Sequence, residues 1–282
     1  MTLQNLLFPT DFTPYSKNAI AYGIHLANTL KVKSILVVHV YAANSNVTNQ
    51  PIINSALPEI LQEKQNELER IKLDIKSKVN EEINVLTLLV EGKLIPIIHE
   101  LIKSQKIDLT ITGISTKTKL EQNFIGSNTI NIMRKTTCPI LAVPHKAKWV
   151  DNPVTTVAID ISHNTALIPF ENTKSIIEQL QVGKLFLLNI DDDDDHNAHI
   201  QNPNIDRINF QFKDHNSKLD VITHPNKLQA IEKFCHQKSV TLLILFERKY
   251  GILETIFHTS LTRQLAFKVH TPILVLEETT IK

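Results

Sequence analysis

The chain has 282 residues, of which 42% are hydrophobic, and its formal net charge is +1. This length fits one large domain or two ordinary ones, and the apolar fraction is enough to form a sizeable core. The nearly balanced charge predicts neither nucleic acid nor a membrane surface as a partner. Two cysteines among apolar neighbours exclude a disulfide framework, so we expect reduced, buried thiols and a cytoplasmic protein.

The first half of the chain alternates short apolar runs with amphipathic segments. We predict strands at residues 3–8, 34–41, 84–90, 107–112 and 140–143, and helices at 14–30, 58–82 and 95–104. Thr13 and Pro14 have the residue types of a helix N-cap and first helical position. The polar stretch 44–55 is predicted to be a surface loop. Strands that alternate with helices in this way favour a parallel, doubly wound sheet.

The second half repeats this pattern. After a predicted linker at residues 149–153, we predict strands at 155–159, 184–190, 219–223 and 241–246, and helices at 173–180 and 227–237. The closing segment Thr271-Pro272-Ile273-Leu274 repeats Cys138-Pro139-Ile140-Leu141. Such repetition indicates two similar domains, which we place at residues 1–147 and 154–282. The segment 191–217 has no clear assignment.

The most informative stretch follows the fourth strand. Gly113 ends that strand, a loop follows, and Gly126-Ser127-Asn128-Thr129 precede a helix-period segment at 130–135. A helix N-terminus offers unpaired N–H groups and a partial positive charge, so it is a ready anion site. Ser127 and Thr129 add hydroxyl groups. The plainer interpretation is a strand-to-helix turn in which Ser127 is merely an N-cap.

The spacing of Gly113 and Gly126-Ser127 resembles the nucleotide loop of the universal stress protein family. That loop has a glycine, two residues, a second glycine, nine residues, and a glycine with serine or threonine. The middle glycine is replaced here by Thr116. A β-branched residue resists the positive φ that glycine allows. Thr116 therefore either weakens nucleotide binding or donates its hydroxyl to phosphate.

Both halves resemble universal stress protein domains, and the resemblance implies an α/β fold of two Rossmann-like (adenine nucleotide alpha hydrolase-like) domains. Each would be a five-stranded parallel sheet with helices on both faces, and the nucleotide would lie at the carboxyl ends of the strands. The resemblance assigns the following residues of the first half to the nucleotide site: Pro9, Thr10, Asp11, Val40, Thr112, Gly113, Thr116, Gly126, Ser127, Asn128 and Thr129. Without it, Asp11 would be an exposed loop carboxylate favoured near a helix start, and His39 a core or edge histidine.

The second half departs further from the nucleotide loop. Phe246 stands where the first half has Gly113, Lys249 stands at the place of Thr116, and Thr259-Ser260 replace Gly126-Ser127. Gly251 is present but lies off the pattern. Asp160 survives at the end of the first strand. We therefore predict that the second pocket does not hold a nucleotide.

No other motif specifies a reaction or a metal site. The run Asp191–Asp195 with His196 and His199 is predicted to be a solvated acidic loop, because consecutive aspartates cannot all point at one ion. The sequence has no HExxH, GxSxG or Walker motif. It also lacks the SGGxDS and HxGH signatures of related adenine-nucleotide enzymes. We assign neither a catalytic residue nor a metal ligand, and at most weak ATP hydrolysis.

The resemblance implies a cytoplasmic stress-response protein that binds ATP or another adenine nucleotide, with or without magnesium, in its first domain. Such a protein would act as a regulator or sensor read by an unidentified protein partner. The alternatives are an interaction scaffold that binds no nucleotide and a slow ATPase. In this family the closing strands often pair, so we expect an intramolecular pseudo-dimer, which a homodimer would extend. An unpaired apolar edge strand would be a liability.

Overall fold

The computed structural model describes residues 1–42, 51–114, 131–132, 136, 138–162, 164–191, 202–247 and 271–278, with the backbone alone at 51–56. The described strands are β1 (Asn5–Pro9), β2 (Ser34–Tyr41), β3 (Asn84–Glu91), β4 (Leu109–Ile114), β5 (Ile140–Pro144), β6 (Val154–Ala158), β7 (Lys184–Asp191), β8 (Leu219–Thr223), β9 (Leu242–Glu247) and β10 (Ile273–Glu277). They form one sheet in the order β3-β2-β1-β4-β5-β10-β9-β6-β7-β8.

The sheet consists of two parallel halves that meet at an antiparallel seam. Within each half the neighbouring strands are parallel, whereas β5 and β10 run antiparallel with Leu274 opposite Leu141 and Val275 opposite Ile140. Both seam strands are almost wholly buried. The predicted fold class and the intramolecular pseudo-dimer are therefore confirmed. The domain boundaries at 147 and 154 stay a prediction.

Helices pack on both faces of each half. They are α1 (Pro14–Leu30), α2 (Pro51–Lys76), α3 (Leu94–Ser104), α4 (Phe170–Gln179), α5 (Pro203–Gln211) and α6 (Lys227–Gln237). Strand side chains alternate between faces, so Leu6 and Phe8 join the core that contains α1, α2, α4 and α5, while Leu7 joins the core that contains α3 and α6. Among the described residues no helix is long and apolar enough to cross a membrane.

The N-terminal residues tie the first half to the second. Leu3 N donates to Gln179 Oε1 at 3.0 Å, and Gln179 Nε2 donates to Met1 O at 2.8 Å. The side chain of Leu3 is 1% exposed. In the predicted linker, the ring of Trp149 packs edge to face against that of Tyr22, with centroids 5.2 Å apart. These contacts add to the strand pairing at the seam.

Two predicted segments differ from the structure. The second helix was predicted to begin at residue 58, but α2 begins at Pro51, so the predicted loop is helical at 51–55. The helix ends at residue 76 rather than 82 because Asn28 of α1 bonds to Lys78 O and Asn80 N, which turns the chain toward β3. The unassigned segment 191–217 contains α5 and a short 3-10 helix.

Candidate functional site

The carboxyl ends of β1 and β4 lie side by side at the point where the strand order reverses. In open α/β sheets this is the crevice in which ligands bind. Pro9 ends β1, Thr10 and Asp11 follow it, and Thr112 and Gly113 lie near the end of β4. The structure therefore brings these five predicted residues to one edge.

The remaining predicted site residues divide into two groups. Val40 lies near the end of β2, on the outer side of β1, and pairs with Val90 of β3. The loop residues Thr116, Gly126, Ser127, Asn128 and Thr129 lie outside the described residues. Their assignment to the nucleotide site stays a prediction.

Asp11 is fixed in a tight turn at the mouth of the crevice. Its Oδ1 accepts hydrogen bonds from Thr13 N at 3.1 Å and Thr13 Oγ1 at 2.6 Å. Partial burial works against ionisation, but the hydrogen bonds from Thr13 and Ser16 outweigh it and lower the pKa of the Asp11 carboxyl below its ordinary value. Asp11 is therefore an ionised and exposed carboxylate at neutral pH.

His39 is a buried histidine whose protonation state follows from its two neighbours. Its Nδ1 lies 2.7 Å from Thr10 O, and Lys64 Nζ lies 3.2 Å from its Nε2. A carbonyl only accepts and an ammonium only donates, so Nδ1 carries the proton and Nε2 accepts. Burial lowers the pKa of His39, and the charge of Lys64 adds to that effect. The ring is therefore neutral.

Phe12 completes a cluster with His39 and Lys64. The Phe12 and His39 rings pack with centroids 4.4 Å apart and planes 31° apart, and Lys64 Nζ lies 5.6 Å from the Phe12 ring centroid. Phe12 has a φ of 63°, which is costly for an aromatic residue. The backbone of this loop is thus held in a strained conformation that places an aromatic ring beside a half-buried cation.

We expect the His39 contribution to stability to depend on pH. Because its pKa is lower in the folded protein, the contribution is complete above about pH 6.5 and is lost as the pH falls through the folded-state value. The groups that face it are the Thr10 carbonyl, Lys64 and the Asp11 carboxylate. His39→Asn removes the titration, so the difference in free energy of unfolding between wild type and variant should shrink from pH 7 to pH 5. A pH-independent difference in denaturant unfolding would contradict this.

Gly113 has a structural explanation that needs no ligand. A Cβ at this position would overlap the backbone carbonyl of Tyr15 and would lie 2.9 Å from Ser16 N. The first turn of α1 therefore packs directly on β4 at this point. Sequence reasoning had connected this glycine with the ligand, whereas packing within the chain already requires it.

Comparisons with known proteins show the family and the fold of this chain. The model of the universal stress protein family matches residues 2–144. The chain belongs to the universal stress protein family. A universal stress protein from Methanocaldococcus jannaschii is 24% identical over 159 residues, which cover 51% of this chain and 96% of the relative.

Two solved structures extend the comparison. A universal stress protein from Archaeoglobus fulgidus covers 97% of this chain and 96% of its own, with a TM-score of 0.74 and 16% identity. A universal stress protein solved in complex with cAMP covers 51% of this chain and 98% of its own, with a TM-score of 0.38 and 16% identity. The first shows the tandem fold, and the second carries no structural argument.

The second half of this universal stress protein has the same aspartate turn as the first, but different residues surround it. Ser162 N and Oγ donate to Asp160 Oδ1 at 3.0 and 2.5 Å, as Thr13 does to Asp11. At the position of His39 stands the buried Asn189, which accepts a hydrogen bond from Ile161 N at 3.2 Å. Ile161 in turn takes the place of Phe12. The turn alone is therefore a structural element of both halves.

The second crevice also has a different helix entry. α1 begins at Pro14, directly after its turn, whereas α4 begins only at Phe170, after a 3-10 helix at Thr165–Leu167. The larger Phe246 stands at the position of Gly113. Asn204 of α5 bonds to Ile161 O at 3.0 Å and to Thr165 Oγ1 at 2.8 Å. This helix therefore fastens directly onto the loop that follows β6.

Other predictions concern cysteines and metals. Both Cys138 and Cys235 are free and buried, as predicted, and burial raises the pKa of each thiol to about 12. Residues 192–201, which include most of the acidic run, lie outside the described residues, as do Lys249, Gly251 and Thr259-Ser260. Within the described ranges no group of three or more potential metal ligands occurs.

Sequence reasoning missed Lys64. A signal for it exists, because Lys64 precedes the buried Leu68 by four residues and Ile75 by eleven, which places it on the apolar face of α2. A lysine on such a face needs a partner for its ammonium group. The sequence does not reveal that this partner is His39.

Proposed function

We propose that the first half binds ATP or another adenine nucleotide, with or without magnesium, and that the protein is a cytosolic regulator. The ligand would bias its conformation or assembly, and a partner protein would detect that state. The observation that carries the proposal is the ionised Asp11 carboxylate at the β1/β4 switch point. Family membership supports it, since one universal stress protein has been solved with cAMP.

The chemistry of the turn fits a ribose. An ionised carboxylate has about four acceptor positions; Thr13 uses two of those on Asp11, and Ser16 also interacts with it. The remaining acceptor capacity suits the hydroxyl groups of a sugar. Gly126, Ser127, Asn128 and Thr129 would supply N–H and hydroxyl donors to the phosphates, as at other helix N-termini.

We assign the second half a structural role. Its seam with the first half buries β10, and its crevice loop is bonded to α5 through Asn204. The described residues of the second half therefore do not favour a nucleotide pocket. A further homodimer and a protein partner of unknown identity stay predictions.

One observation favours the alternative of a scaffold without nucleotide. Gly113, part of the glycine pattern, is already explained by its contact with Tyr15, and Thr116 departs from that pattern. Gly126 is then the remaining glycine of the pattern that a ligand would require. The motif is therefore weaker evidence for nucleotide binding than its spacing suggests.

Mass spectrometry of small molecules released from freshly purified protein, followed by titration with ATP and magnesium, tests the proposal. We expect one adenine nucleotide per chain in the wild type and none in Gly126→Val, because a branched side chain would block the approach of phosphate to the loop backbone. Gly251→Val, in the second half, is the matched control and should bind like the wild type. Absence of binding by the wild type would favour the scaffold.

A further inference from the structure

Lys64 is a cation at one side of the candidate crevice. Its Nζ is positioned by two contacts, 3.2 Å from His39 Nε2 and 5.6 Å from the Phe12 ring centroid. An ammonium has three donors, and within the described part of the chain His39 is the hydrogen-bond partner that takes one of them. Lys64 therefore retains donor capacity beside Phe12.

The strand order decides which end of a nucleotide Lys64 would meet. The sheet runs β2-β1-β4 at this point, and neighbouring strands are about 4.8 Å apart. His39 lies on β2, whereas the glycine loop that would hold the phosphates follows β4. β2 and β4 are thus separated by about 10 Å. With the phosphates on the β4 side and the ribose at Asp11, as proposed above, the base would lie on the β2 side, where Lys64 contacts His39.

The comparison between the two halves separates structure from ligand recognition. Both halves keep the aspartate turn, at Asp11 and at Asp160. The half without the glycine pattern has Ile161 for Phe12 and Asn189 for His39. Among the described residues, the Phe12–His39–Lys64 cluster thus occurs in the half that keeps two of the three loop glycines and not in the other half, as expected of residues that serve the same ligand.

We propose that Lys64 donates a hydrogen bond from its ammonium group to a ring nitrogen of the bound purine base, which makes it a specificity-determining residue. This inference rests on the proposed function. Adenine offers acceptors at N1, N3 and N7, and an ammonium is a strong donor to such atoms. His39, as a neutral acceptor, holds the ammonium in place, and Phe12 provides an aromatic surface beside it.

Deaza analogues of ATP test this contact directly. In 1-deaza-, 3-deaza- and 7-deaza-ATP one ring nitrogen is replaced by carbon, so the analogue that lacks the contacted nitrogen should bind the wild type at least about tenfold more weakly than ATP. Lys64→Met keeps the length of the side chain and removes the donor. We expect it to bind ATP and that analogue with nearly equal affinity, measured by calorimetric titration.

Two further variants make the result specific. Lys72 lies about 12 Å further along the same helix than Lys64, and its side chain is 26% exposed. Lys72→Met should therefore discriminate between ATP and the analogue like the wild type. Lys64→Arg should restore part of the discrimination. If the wild type and Lys64→Met discriminate equally between ATP and the analogue, the inference is overturned. The proposed function still stands in that case if the wild type binds ATP and Gly126→Val does not. A wild type that binds no adenine nucleotide overturns both proposals.

Discussion

Gly113→Ala is expected to lower the free energy of unfolding by about 3 kcal/mol, the upper part of the range for overpacking a well-packed site. The new methyl group would meet the backbone of Tyr15 and Ser16, and backbone atoms in the first turn of a helix cannot rotate away as a side chain can. Either α1 or β4 must move. The shift would reach the Thr10–Asp11 turn, which directly precedes α1. Denaturant unfolding at neutral pH measures the loss.

Gly23→Ala is the matched control. There the added methyl group would lie 2.6 Å from Cζ of the buried Phe8 and 3.3 Å from Ile111 Cδ1, which are side-chain atoms and not backbone atoms. Alanine also gains about 1 kcal/mol of helix propensity over glycine. The loss at Gly23 should therefore be smaller. If Gly113→Ala were as stable as the wild type and lost only nucleotide binding, the glycine would serve the ligand and not the packing of α1.

The elements with strong local signals were predictable from sequence. α1 spans Pro14–Leu30 as predicted, because Thr13 caps it and proline starts it, and α6 matches its prediction as well. The repeated proline-led strands, together with the resemblance to the family, predicted the seam between β5 and β10. The predicted start of α2 at residue 58 was wrong, since Pro58 lies inside the helix. α5 was not recognised because its short sequence is polar and rich in asparagine.

The candidate site was predictable only where it depends on topology. Strand ends in a parallel sheet meet at one edge, so Thr10, Asp11 and Gly113 could be grouped from the strand assignment alone. The contact of Lys64 with His39 joins a helix to a strand across 25 positions, and no local pattern encodes it. The packing of Tyr15 on Gly113 likewise depends on how α1 leaves its turn. Such contacts follow from the tertiary structure.

Leu274→Asp is expected to cost at least about 5 kcal/mol, which is comparable with the whole stability of many domains. Leu274 is 3% exposed and lies in β10 between Leu141 of β5 and Ile244 of β9. The substitution removes a buried apolar side chain and places an unpaired carboxylate in the core. The variant should be largely unfolded, or its two halves should separate, which circular dichroism and limited trypsin digestion would detect.

Leu86→Asp provides the comparison, because it makes the same change in a strand whose outer edge is unpaired among the described residues. Leu86 lies in β3 and is 44% exposed, so its carboxylate would remain hydrated and the stability should change by less than about 1 kcal/mol. If both halves of the Leu274→Asp protein unfold together while the Leu86→Asp protein stays folded, the seam links the two halves into one unit. A Leu274→Asp protein with wild-type stability would contradict the burial of this seam.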